Sequence, residues 1–222
     1  MQVWKQGIAS AWQRLWPRSA WKLALLVWLW VVVMAGVLRV LAPALAWEWS
    51  LRGWAGWLLP LTAWGVLSLV RERRRLQDLA PDRGWLWLLG WWTTAAAAGV
   101  LISVLALAWM ALIAGGVELQ DALTTAWIGG LGLLAYAALF ALASTWGRRG
   151  GAGLWALLLD FVFGSGEGVL ALGFPRSHVR SLLGGEAVAE LTQPRSSMAL
   201  WGLALLFFAV TALRVRSSFT KA

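Results

Sequence analysis

The chain has 222 residues, 60% of them hydrophobic, and a mean hydropathy of +0.70; soluble domains average about 45–50% apolar, so composition argues against a water-soluble globule. No cysteine and a single histidine are present, which removes thiol chemistry, disulfides and a histidine metal cluster. The formal net charge of +9 does not point to nucleic acid, because the cations sit at the ends of apolar spans, where anionic lipid headgroups lie.

Residues 1–19 read as an amphipathic helix in the membrane interface. Trp4, Ile8, Trp12, Leu15 and Trp16 recur at near-helical spacing, and Lys5, Gln6, Gln13 and Arg14 take the other positions. The alternative is a frayed cytoplasmic tail. Pro17 ends the helix, and no short apolar core or small-residue cleavage site marks a removable signal. Apolar spans are then predicted at 21–41, 54–70, 90–114, 122–146, 151–172 and 197–213. Residues 42–53 form a short outer loop with Pro43 and Glu48.

The second span stops at Arg71. Residues 71–84 are the most polar stretch, with Glu72, Asp78 and Asp82 among five arginines. Glu72 to Leu79 suits a short helix, and Pro81 disfavours helical backbone at Ala80. A topogenic loop needs only positive charge. The interspersed acids therefore suggest a docking surface for another protein, the alternative being a solvated loop. The Trp85–Trp92 region is read as lying partly in the interface, with the third span following it. Many of the 20 tryptophans fall near span ends, as an interfacial aromatic belt would place them.

The fifth span holds the sharpest local signal. Asp160 lies about 15 Å inside it, near the bilayer midplane. A charge there costs roughly 2.5–3.5 kcal/mol on insertion scales, so a functional or paired role is the default. A structural hydrogen bond inside the bundle is the plainer alternative. Gly164, Gly166 and Gly168 follow within two turns and predict a break or a re-entrant element facing outward. Glu167 is expected near the outer face and solvated. Residues 173–196, with Pro175 and His178, form the longest outer segment, and His178 is read as a loop residue near the outer surface.

Charge orients these spans. The N-terminal segment, residues 71–84, the turn at 147–150 and the C-terminal tail together carry 14 of the 19 Lys and Arg residues. The other side has Arg39, Arg52, Arg176, Arg180 and Arg195. Basic residues mark the cytoplasmic side of short loops. The expectation is an all-α integral membrane protein of the cell membrane, forming one domain over 1–222. It has six transmembrane helices, an N-terminal interfacial helix and both termini cytoplasmic.

No Gly-x-x-x-x-Gly-Lys-Ser/Thr pattern occurs, so an ATP-driven function would need another subunit. Ser165 and His178 do not make a membrane serine hydrolase, since Phe163 stands two residues before Ser165, where a nucleophile motif needs glycine. No catalytic residue, metal or cofactor is expected.

The order of elements resembles the membrane subunit of ABC exporters of the type-2 permease fold, over nearly the whole chain. The resemblance rests on Glu72, the run Leu76-Gln77-Asp78-Leu79-Ala80-Pro81 and Arg83 after the second span. It extends to Gly147-Arg148-Arg149-Gly150 after the fourth, to Phe174-Pro175-Arg176-Ser177-His178 before the last, and to the basic tail Leu213 to Phe219. Arg74-Arg75 stand where that family usually has Gly-Thr/Ser. The resemblance implies that Glu72, Asp78, Pro81 and Arg83 belong to a helix that couples to cytoplasmic ABC ATPase subunits. It further implies that a second permease subunit, identical or not, completes the path. A haem-exporter-type subunit of cytochrome c maturation is a close variant. A non-transporting membrane assembly factor and a membrane-embedded enzyme are the readings from other classes.

Overall fold

The structure, a computed structural model, describes residues 2–15, 19–70, 84–146, 152–166 and 168–219. The elements are α1 (Gln2–Leu15), α2 (Ser19–Leu41), α3 (Ala46–Gly53), α4 (Leu59–Val70), α5 (Gly84–Ala114), α6 (Leu119–Ser144), α7 (Ala152–Phe163), α8 (Pro175–Leu182) and α9 (Gln193–Phe219). A π-helical segment, Trp54–Leu58, joins α3 to α4, and 3-10 turns stand at Pro43–Leu45, Val169–Gly173 and Val188–Glu190. No strand occurs among the described residues. Four helical stretches are long and apolar enough to cross a bilayer: Lys22–Leu41, Leu86–Ala114, Leu119–Ser144 and Gln193–Arg216.

Several boundaries differ from those predicted. Residues 46–53, expected in a loop, are helical and run through the π segment into α4, so helix is continuous over 46–70. Glu48 and Arg52, paired at i and i+4 on an exposed face, had given this segment its loop-like polarity. The π segment has an evident cause in Pro60. Proline lacks an N–H, and its ring would strike the carbonyl four residues back in a regular helix. The turn widens instead, and the Leu59 N–H bonds to the Trp54 carbonyl, five residues earlier.

The Trp85–Trp92 region forms the first turns of α5, continuous with the rest of that helix. Trp87 and Trp91 are buried and stack at 6.4 Å, and Trp54 is wholly buried. These three are core residues of the bundle, whereas Trp28, Trp49, Trp109 and Trp155 are exposed.

α1 lies across the start of α5. A Cβ on Gly7 would overlap the Trp87 carbonyl, and one on Gly90 would overlap the Trp4 carbonyl. Glycine at both positions lets the two backbones meet, the usual device of membrane helix pairs. The face that packs carries Gly7 and Ala11, with the Trp4 ring beside Gly90, while Trp12 is half exposed.

The chain reverses between α5 and α6 on Gly115 and Gly116, with φ of 71° and 69°. This left-handed region is open to glycine at little cost. Arg39, at the end of α2, approaches this turn. At the opposite end the Arg214 guanidinium stacks 4.9 Å above the Trp146 ring, tying the ends of α9 and α6. One end of the bundle therefore holds α1 with the starts of α2 and α5 and the ends of α4, α6 and α9. α6 is the central helix and packs against α4, α5, α7, α8 and α9.

Candidate functional site

α7 has 12 residues, about 18 Å at 1.5 Å per residue, too short for a hydrocarbon core of about 30 Å. It ends at Phe163, and the chain turns back through Gly164 and the 3-10 turn into α8. The predicted break is thus present, and the fifth helix ends well before residue 172. Gly164 is required by space: a Cβ there would lie 2.9 Å from Arg176 Cβ and 3.1 Å from Phe174 Cβ.

α8 is drawn into the bundle instead of lying on its surface. Val179 is fully buried, and its methyl sits where a Cβ on Gly132 of α6 would come within 2.7 Å. Trp54 fills the space beside Gly129, one turn earlier. Glycine at 129 and 132 opens the groove in α6 that receives the π segment and α8.

Asp160 joins these pieces. Its carboxyl is fully buried. Oδ2 accepts the Tyr136 hydroxyl of α6 at 3.0 Å, and Oδ1 accepts the Arg176 backbone N–H of α8 at 3.3 Å. Pro175 is the first residue of α8 and has no N–H, so Arg176 supplies the first donor that needs a partner. Phe174 at the N-cap offers no side-chain acceptor, and Asp160 takes that part from the neighbouring helix. A carboxylate at a helix N-terminus is also favoured by the helix dipole.

Side chains of α8 tie the reversal together. Ser177 donates to the Ala171 and Phe174 carbonyls at 2.6 and 2.8 Å. His178 Nε2–H donates to the Leu172 carbonyl at 3.0 Å, and Arg180 to the Ser165 carbonyl at 2.7 Å. His178 is therefore not a surface loop residue; it is wholly buried inside α8, with Nδ1 unpartnered. Ser165 is committed to the Phe161 carbonyl.

The Arg176 guanidinium has a different setting. Its carbon lies 3.8 Å from the centre of the Phe161 ring and 5.8 Å from that of Trp57, within cation–π range. Arg176 is only 8% exposed, and its Nε and Nη1 have no partner. It lines a cavity of about 510 Å³ with Arg52, Gly56, Trp57, Arg180 and Glu186. The π segment presents Gly56 and Trp57 to this space.

Of the residues singled out in the sequence, Asp160 and Pro175 come together here and His178 stands three positions beyond Pro175. Glu72, Asp78, Pro81, Arg83 and Glu167 lie outside the described residues. Tyr136 and Arg176 were not foreseen as site residues. The signal for Tyr136 was present, since it is the one tyrosine and sits inside an apolar span. Arg176 had been counted only as an outer charge. Among the described residues no group of three or more His, Cys, Asp or Glu side chains gathers to hold a metal.

Comparison with protein-family models, curated proteins and solved structures finds no match for this chain.

Proposed function

We propose that this chain is the membrane subunit of an ATP-driven ABC exporter with the type-2 permease layout. Both termini lie in the cytoplasm, six membrane elements cross or enter the bilayer, and residues 71–84 dock on a separate ATPase. The observation that carries this reading is the re-entrant pair α7–α8, seated in α6 before the last span, at the end of the bundle opposite α1. An interfacial first helix, a charged segment after the second element and a re-entrant pair before the last make up that layout. The helix continuous over 46–70 supports reading this stretch as the second membrane element beside the four long apolar helices found among the described residues. Two such subunits would enclose the path, and ATPase closure would move them between inward-open and outward-open arrangements. The bilayer is the medium, and the cell membrane is the place.

The test is co-purification. The tagged chain, extracted in mild detergent from its native cells, is expected to bring down a polypeptide with a P-loop ATPase sequence. Reversing Glu72 and Asp78 to lysine should release that polypeptide without changing the chain's own thermal stability. Recovery of the chain without any ATPase under conditions that keep it folded, or undiminished recovery with the double variant, would contradict the coupling assignment.

A further inference from the structure

The geometry points to a phosphate-binding site in the cavity between the π segment and α8, with Arg176 and Arg180 as its receiving cations. This inference goes beyond the exporter reading and stands on the cavity alone. Arg176 is more than nine-tenths buried, yet two of its guanidinium nitrogens lack an acceptor. A buried donor without a partner is costly to leave, by about 1–3 kcal/mol and more for a charged group. The rings of Phe161 and Trp57 hold the guanidinium by its face and leave the N–H groups in its plane to be satisfied. A phosphate oxygen accepts such a donor in a charge-assisted hydrogen bond.

The charges around the cavity agree with an anionic guest. Arg52, Arg176 and Arg180 face Glu48 and Glu186, and Glu48 is already paired with Arg52. One exposed carboxylate is then left against two guanidiniums. Gly56 keeps the approach open, since a Cβ there would stand 3.2 Å from Arg176 Nη2. Leu51, Ala55, Leu183 and the half-exposed Trp57 add apolar wall. The guest that fits is a phosphate carried on a small apolar body. Such a phosphate can belong to a lipid headgroup or to a water-soluble phosphoryl compound.

The experiment uses the full chain purified in an uncharged maltoside detergent. Binding of inorganic phosphate, of dihexanoyl phosphatidylglycerol and of dihexanoylglycerol is followed by titration calorimetry. Saturable binding of the phospholipid alone assigns the site to a headgroup, and comparable binding of inorganic phosphate assigns it to a soluble source. In both cases dihexanoylglycerol, which has no phosphate, should not bind. Arg176→Gln should weaken binding about tenfold or more, the loss of a hydrogen bond to a charged group. Arg180→Gln is exposed, and Gly56→Leu fills the cavity mouth. These two variants should weaken binding while the melting curve stays cooperative, so the answer does not depend on Arg176→Gln folding. Absence of phosphate or phospholipid binding to folded wild-type protein overturns the proposal. Unchanged affinity in both Arg180→Gln and Gly56→Leu overturns it too.

Discussion

α2 and α6 show how little hydropathy says about position within this helical bundle. The best stretch of α2 has a mean hydropathy of 2.4 and is 17% buried; that of α6 has 1.9 and is 72% buried. The less apolar helix is the interior one. Lipid is as apolar as leucine, so there is no hydrophobic gain in hiding a Leu or Val face from it. Close approach and polar pairing decide instead. α6 offers Gly129, Gly132, Ala135, Ala138 and Tyr136 to its neighbours, whereas α2 turns Leu25, Leu26, Leu29, Val33, Val37 and Val40 outward. Small residues let α6 approach its neighbours, and these large apolar residues of α2 face away.

The comparison can be broken most forcefully at glycine. Gly132→Leu would drive a side chain into Val179 and Leu59, and overpacking of this kind costs about 1–3 kcal/mol. Gly36 of α2 has nothing within 4 Å of its would-be Cβ. Gly36→Leu should leave the melting temperature in detergent almost unchanged. An equal loss from both would mean that the open face of α2 is covered by a partner, and the contrast would fail.

A smaller effect is expected at the polar pin. Asp160→Leu leaves the Tyr136 hydroxyl and the Arg176 N–H without their acceptor. It should destabilise the bundle by about 1–2 kcal/mol, the range for interhelical polar contacts in membranes. Asp160→Asn retains acceptor oxygen and should be much milder in thermal melts. Were Asn as damaging as Leu, the negative charge and not the hydrogen bond would be what matters. Tyr136→Phe removes one side of one contact and should cost about 0.6 kcal/mol, the average measured for such bonds.

The smallest effect belongs to the exposed pair on α3. Glu48 and Arg52 are largely solvent-exposed, 56% and 71% by side chain. Such pairs contribute about 0–1 kcal/mol. Glu48→Gln should therefore be nearly silent in stability. A large loss would show that α3 is held by this pair and not by its continuity with α4.

Legibility in the sequence followed physical range. Helix breaks were readable because glycine and proline act on their own backbone: the reversal at Gly164 and the turn at Gly115–Gly116 were both visible as clusters. The start of the second helix was misplaced because an i, i+4 ion pair on a helix surface looks, in sequence, like loop polarity. That Asp160 would be paired was readable from its place inside an apolar stretch, but its partners were not, because Tyr136 and Arg176 reach it only through packing. His178 was misread for the same reason. Its polar neighbours suggested solvent, whereas its ring is sealed beneath the reversal and held by the Leu172 carbonyl. The tryptophans divide likewise. Their number suggests a membrane interface, but packing inside the bundle buries Trp87 and Trp91.

In the proposed arrangement α8 and the chain after it open on the side of the membrane opposite α1. Single cysteines can be placed on a background that has none. Gln13 of α1 and Ala187 beyond α8 are both exposed and serve as reporters. In intact cells a membrane-impermeant maleimide should label Ala187→Cys at once, and Gln13→Cys only after the membrane is opened. Labelling of Gln13→Cys in intact cells, with Ala187→Cys protected, would contradict the account by reversing the bundle. Labelling of both would place α1 and the re-entrant pair on the same side.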